Sequence, residues 1–139
     1  MNLISRARGT KSLTLVLLLL GALALFSHAA ADQMERLSAE EISELLTGNT
    51  AIGSWDGTKY RQYFSDSGTT IYAQQGTRSS TGTWRVNKTE NLYESKWQRT
   101  GWSGYPVARQ GDKFFWISTS LPPQPFEVVP GEQLVPLIS

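Results

Sequence analysis

The sequence predicts a mainly β fold: a small antiparallel up-and-down barrel or half-barrel carrying one short N-terminal helix. Three observations point there. From Asn49 onward the hydrophobic pattern has a period of two, and short runs of β-branched and aromatic residues recur about every ten residues between Gly-containing turns. Only one segment, just before Asn49, has a helical pattern with its own start and stop signals. The chain has no Cys, so a core of large side chains must hold the domain together.

The N-terminus reads as an address. Arg6, Arg8 and Lys11 precede Leu13 to Phe26, an uncharged, Leu-rich run of 14 residues, and Ser27-His28-Ala29-Ala30-Ala31 follows. A basic segment, an apolar run and a small-residue tail make the pattern of a cleavable secretory leader, with cleavage expected after Ala31 or, as the alternative, after Ala29. A spanning helix needs about 20 apolar residues, so no permanent membrane anchor is expected. No Cys follows the apolar run to carry a lipid, and Arg6 and Arg8 are not adjacent, as a twin-arginine signal would require. The expected location is periplasmic or secreted, in a bacterium. Removing residues 1–31 leaves residues 32–139 as a single expected domain of 108 residues. Three basic residues leave with the leader, so this domain carries 10 basic and 12 acidic residues, a net charge of −2. That is no footprint for nucleic acid. The only His, His28, also lies in the leader. The domain then has neither imidazole nor thiol, which removes Ser-His-Asp triads, Cys-His pairs and the usual zinc ligand sets.

Each element has a local cause. Residues 32–36 read as a polar leader to the domain. Ser38 is an N-cap with Glu41 three residues on, and Leu37 and Ile42 stand where a hydrophobic staple forms. Leu45 and Leu46 extend the apolar face and Gly48 can end the helix, giving a helix over about residues 39–47. Ala51, Gly53 and Trp55 share one face of the first long strand, and Asp56-Gly57 turns it into a second, Lys59 to Phe64. Ser65 to Gly68 turns again into Thr69 to Gln74. A polar hairpin loop, Gln75 to Ser80, leads to a strand from about Gly82 to Val86. On that strand Trp84 is expected in the core, Arg85 in water, and Gly82 where a bulky ring approaches the backbone. Asn87 to Asn91 turns into Leu92 to Gln98, and Gly101 to Gly104 reads as loose. Tyr105 to Gln110 and Lys113 to Ser118 pair across Gly111-Asp112. Pro122 to Pro125 reads as an extended connector, Phe126 to Val129 as a last strand, and the tail as irregular. The sum is seven or eight strands, with Trp55, Phe64, Tyr72, Trp84, Trp97 and Trp116 expected to line the interior.

The segments LSAEEISELLTGNT, Gly53 to Phe64, GTTIY, GTWRV and GYPVARQGDKFFW together resemble a group of small secreted proteobacterial lipocalin-like β-domain proteins of unassigned activity. The likeness covers most of residues 32–139 and rests on Gly, Trp and Tyr at hairpin positions. It implies a fold and a compartment and no chemistry. In that group a Cys pair lies near the positions of Tyr93 and Gly104, joining neighbouring strands. Both Cys are absent here.

Three sets of side chains could carry function. The first is aromatic: 14 of the 108 residues, of which strand positions and a disulfide-free core account for most. Trp102, in the Gly-flanked segment Thr100 to Gly104, is the exception, and with Tyr105, Arg78 and Arg99 it forms the expected ligand or partner contact set. The second is acidic. Asp56, Asp66, Glu94 and Asp112 could supply a carboxylate pair for glycoside hydrolysis, but the three Asp sit beside or near Gly in turns, where backbone geometry explains them. The third is basic: Arg61, Arg78, Arg85, Lys88 and Arg99 could meet anionic groups or simply keep strand faces soluble. Asn87-Lys88-Thr89 fits a glycosylation sequon, relevant only in a eukaryotic secretory route. No metal ligand set and no cofactor motif is legible. The expected function is a non-enzymatic binding module for a small amphiphile or glycan. The alternative is a protein-interaction or inhibitor domain that docks on an envelope partner through the loops Gln75–Ser80 and Thr100–Gly104.

Overall fold

The computed structural model of this protein describes residues 33–135. The expected leader, residues 1–31, lies outside the described residues, and a unit boundary falls between Gln33 and Met34. After a two-residue strand β1 (Glu35–Arg36) comes the helix α1 (Ala39–Leu46). Its capping box is complete: Glu41 N–H donates to Ser38 Oγ at 3.2 Å, and Ser38 N–H donates to Glu41 Oε2 at 2.8 Å. Gly48, at a φ of 75°, turns the chain out of the helix. Nine further strands follow: β2 (Asn49–Trp55), β3 (Thr58–Phe64), β4 (Thr69–Gln74), β5 (Ser80–Asn87), β6 (Leu92–Lys96), β7 (Ser103–Tyr105), β8 (Val107–Gln110), β9 (Lys113–Trp116) and β10 (Gln124–Pro130).

All ten strands form one antiparallel sheet in the order β1-β8-β9-β10-β2-β3-β4-β5-β6-β7, curled into a half-barrel. The long run β2 to β7 is a plain meander. At Pro106 it meets a break. Tyr105 pairs with Tyr93 on β6, whereas Val107 pairs with Trp116 on β9. Two residues on either side of one proline therefore belong to the last strand at one end of the sheet and the second strand from the other, so the curl brings those ends together. Pro106 has no N–H to give a ladder and fits the crossing point. Across the same region the β5–β6 turn reaches α1 and β1: Ala39 N–H donates to Asn91 Oδ1 at 2.8 Å, and Arg36 donates to the Glu90 carbonyl at 3.1 Å.

These facts correct several sequence expectations. Among the described residues there are ten strands, not seven or eight. The supposed polar leader contains β1, the loose Gly101–Gly104 stretch contributes Ser103 and Gly104 to β7, and the single strand expected over Tyr105 to Gln110 is two. The connector at Pro122 to Pro125 ends early, because β10 begins at Gln124. Pro125 pairs only toward β9 and Pro130 only toward β2, so neither interrupts a ladder that needs its missing N–H on both sides.

Alternation sorts the faces. On β3, Tyr60, Gln62 and Phe64 point inward and Lys59, Arg61 and Tyr63 outward. The inner cluster joins Leu37, Ile42 and Leu46 of the helical segment to Phe64, Trp84, Tyr93, Val107, Trp116 and Phe126. Phe64 meets Trp84 edge-on at 5.3 Å and Tyr93 edge-on at 5.5 Å, while Trp116 stacks on Phe126 at 4.2 Å. Of the six residues expected inside, Phe64, Trp84 and Trp116 are in the core. Trp55, Tyr72 and Trp97 are only half-buried, for the reason given next.

Candidate functional site

Helix α1 packs against β2, β5 and β6 on the side where β2 and β6 begin and β5 ends. Among the described residues nothing caps the opposite end, and there the inner faces form an open-topped cup of about 200 Å³. Trp55 closes β2, Tyr72 lies near the end of β4, and Trp97 follows β6; these three stand at the wall. Tyr60, Tyr93, Tyr105 and Trp116 complete the aromatic lining, and Gln62 and Ser95 are the only other side chains in it. No lining residue is charged.

Two close backbone approaches shape this wall. A Cβ on Gly82 would lie 2.7 Å from Trp97 Cε3, so only glycine lets the Trp97 ring lie against β5. The expectation that Gly82 admits a bulky ring is met, with Trp97 as that ring. A Cβ on Gly53 would stand 3.1 Å from the Tyr60 hydroxyl and 2.8 Å from the Pro125 carbonyl, so glycine there lets Tyr60 settle beneath β2.

The buried polar groups of the cup are committed to one another or to Thr70, whereas the half-buried Trp55 and Trp97 indoles and the Tyr72 and Tyr105 hydroxyls make no hydrogen bond among the described residues. Gln62 Nε2 donates to Thr70 Oγ1 at 2.9 Å and to the Tyr93 hydroxyl at 2.8 Å. Thr70 in turn donates to the Tyr63 carbonyl at 2.8 Å. Trp116 Nε1 donates to the Tyr60 hydroxyl at 2.7 Å. Burial pushes the Tyr93 phenol up to about 12, against opposing hydrogen bonds from Ser95 and Gln62. Burial also raises Tyr60, which is 2 % exposed, well above its ordinary value of 10.0, and raises Tyr72. All three phenols are neutral at ordinary pH, so the cup offers ring surface and neutral dipoles.

The chain matches no family model, no curated protein and no solved structure.

Of the expected contact residues, Tyr105 lies in the cup and the other three lie elsewhere. Its ring packs on Trp55 at 5.0 Å. Trp102 is 39 % exposed, and the Arg85 guanidinium covers its ring at 4.0 Å from the centroid. Arg78 is exposed in the β4–β5 hairpin, and Arg99 is exposed at a φ of 69° in the β6–β7 connection. The acidic set does not converge either. Asp56 has a φ of 47° in its turn, Asp66 sits in the β3–β4 turn, and Asp112 lies in the β8–β9 turn. Glu94 points outward, with its side chain 11 % exposed. It accepts from Asn87 at 3.0 Å and from Arg85 at 2.7 Å, and these bonds hold its carboxyl below the usual range. Arg85 itself is wet, as expected, with its side chain 51 % exposed. The sequon Asn87 is tied into its own turn, accepting from the N–H groups of Thr89 and Glu90. Among the described residues no three His, Cys, Asp or Glu side chains gather as metal ligands, and no helix is long and apolar enough to cross a membrane.

Two other concavities are wider and charged. A groove on the outer face of β2, β3 and β10 carries Lys59, Arg61, Lys113 and Glu127, and Arg61 is already bound to the Gln133 carbonyl at 2.8 Å. A second lies between α1 and β5, with Glu40, Glu44, Asp66, Arg85 and Lys88 around it. Neither has the convergence of the cup. The sequence reading missed Tyr60, Gln62, Tyr93 and Ser95. The signal for the first two was present: Lys59 and Arg61 must face water, which turns Tyr60 and Gln62 inward.

Proposed function

We propose that this protein is a non-enzymatic binding module, periplasmic or secreted once its leader is removed, that holds one small group in the aromatic cup. The group is the head of an amphiphile or a single ring of a glycan. With this reading goes membership of the small secreted lipocalin-like proteins that the sequence resembles. The observation that carries it is the cup itself: seven aromatic rings and two neutral polar side chains from widely separated strands converge on one uncapped end. Concave, mostly apolar sites with a few polar groups are where small ligands bind. The cup's size sets the scale, since drug-sized ligands need roughly 300–1,000 Å³. Below it Phe64, Trp84, Trp116 and the helix residues fill the interior, so an acyl chain would lie outside the half-barrel. Catalysis has no support from the carboxylates, which are dispersed over separate turns or paired with Arg85.

Native mass spectrometry of the protein taken from its own envelope tests the reading. The expected spectrum carries a small adduct that is lost in Trp97→Ala. A stoichiometric partner chain with no small adduct would favour the docking alternative, and hydrolytic turnover abolished by Asp56→Ala, Asp66→Ala, Glu94→Ala or Asp112→Ala would replace both.

A further inference from the structure

We infer that the group held in the cup is a quaternary ammonium, such as the trimethylammonium end of choline; this rests on the cup being the binding site. The first ground is what the cup cannot do. A sugar ring brings several hydroxyls, and each one taken from water needs a new partner. The buried donors are spent, both Gln62 N–H groups on Thr70 and Tyr93 and the Trp116 N–H on Tyr60, so a sugar would find donors only at the half-buried wall, on Trp55, Trp97, Tyr72 and Tyr105. A quaternary ammonium has no N–H to satisfy and asks for none of these groups.

The second ground is ring geometry. Sugars stack on a flat platform, but the facing rings of the wall are inclined to one another. Trp55 and Tyr105 meet at 50°, and Tyr72 and Trp97 at 71°. Inclined rings surround a volume instead of offering one plane. A cation within about 6 Å of several ring centroids is attracted by each ring's negative face, more strongly where water is partly excluded. Tyr72 is backed by Tyr60, stacked at 5.4 Å, and Trp116 is backed by Phe126, so the walls are braced before a ligand arrives.

The third ground is charge. With no Lys or Arg in the lining, nothing repels a cation. With no carboxylate in the lining, an ordinary primary ammonium, whose N–H groups need acceptors, finds no charged one there. The phenols of Tyr60, Tyr72 and Tyr93, all raised by burial, contribute ring faces and not anions.

Tryptophan fluorescence and calorimetry decide the point with five probes: tetramethylammonium, choline, the neutral isostere 3,3-dimethyl-1-butanol, glucose, and vesicles of phosphatidylcholine against phosphatidylglycerol. Tetramethylammonium and choline are expected to saturate the protein, and the isostere to bind at least about tenfold more weakly. Binding should fall in Trp97→Ala and persist in Trp97→Phe, with both variants checked for a native denaturant melt. Flotation with phosphatidylcholine vesicles alone would assign the source as a lipid head group. Choline binding without flotation would assign it as a free ammonium solute. Equal binding of choline and its isostere overturns the ammonium class while leaving the cup as a small-ligand site, as does tighter binding of glucose. No binding of either ammonium at millimolar concentration also overturns the class, and the native adduct then decides the cup separately.

Discussion

Replacing Trp84 by Ala should be the most damaging single change in the β4–β5 hairpin. The residue is 8 % exposed, and its ring meets Phe64 edge-on at 5.3 Å. Its indole N–H donates to the Ser65 carbonyl at 2.8 Å, and its backbone N–H donates to the Gly68 carbonyl at 2.9 Å. One residue thus ties β5 to the β3–β4 turn, through side chain and backbone, as well as filling the core. A large-to-small change of an aromatic costs about 3–5 kcal/mol. Trp84→Phe keeps most of the ring contact and loses the bond to Ser65, for a net cost of roughly 0.5–1.5 kcal/mol from that bond. Thr77→Ala, in the exposed β4–β5 turn, should stay within about 0.5 kcal/mol of wild type. Urea melts of the three variants give the order directly, and with about 4–8 °C per kcal/mol for a domain near this size, thermal melts should separate Trp84→Ala by at least roughly 12 °C. A Trp84→Ala melt within about 1 kcal/mol of wild type would place the ring outside the core. It would also mean that the indole bond to Ser65 contributes little to holding the β3–β4 turn.

Two other outcomes follow from packing and titration. Gly104 lies against β6 so closely that a Cβ would collide with the Tyr93 carbonyl oxygen and meet the Glu94 side chain, so Gly104→Ala should destabilise by about 1–3 kcal/mol in a urea melt, where Gly101→Ala, in open space, should not. Tyr93 and Tyr60 have phenols raised by burial, so the folded protein holds their protons longer than the unfolded chain does. Their contribution is complete below the ordinary tyrosine value of 10.0 and is lost as pH rises from there toward about 12 and beyond. Phenolate absorbance should accordingly rise in two stages, with the late stage coinciding with unfolding. A single early stage in the folded protein would contradict the burial of these rings.

The helix and the meander were legible because their causes are local. Ser38 and Glu41 are three residues apart and cap each other as the sequence says, and Asp56-Gly57 and Gly68 turn the chain with the positive φ their residues allow. The ends of the sheet were not legible. β1 is two residues long and has no period to read, and its partner β8 lies some seventy residues away. Pro106 was the one available sign that Tyr105 and Val107 part company, and a proline inside an apparent strand is reason to divide it. The cup was hidden for a different reason. Eight of the ten described strands supply aromatics, and which of them converge depends on register: Tyr93 opposite Tyr105, Gln62 opposite Tyr72, Gly53 opposite Tyr60. Trp102 stood out in the sequence because of its Gly-rich surroundings, yet Arg85 from a neighbouring strand lies over it. The residues that matter at the cup look like ordinary strand residues until the sheet curls.

The indole N–H signals of the five tryptophans, followed by NMR during a titration with tetramethylammonium, test the central claim most directly. Trp55, Trp97 and Trp116 line the cup, Trp84 lies in the core, and Trp102 sits under Arg85. The account predicts saturable shifts of the Trp55, Trp97 and Trp116 signals together, with Trp84 and Trp102 unmoved. A shift of Trp102 while the three cup signals stay in place, or no shift at any of the five, would contradict it.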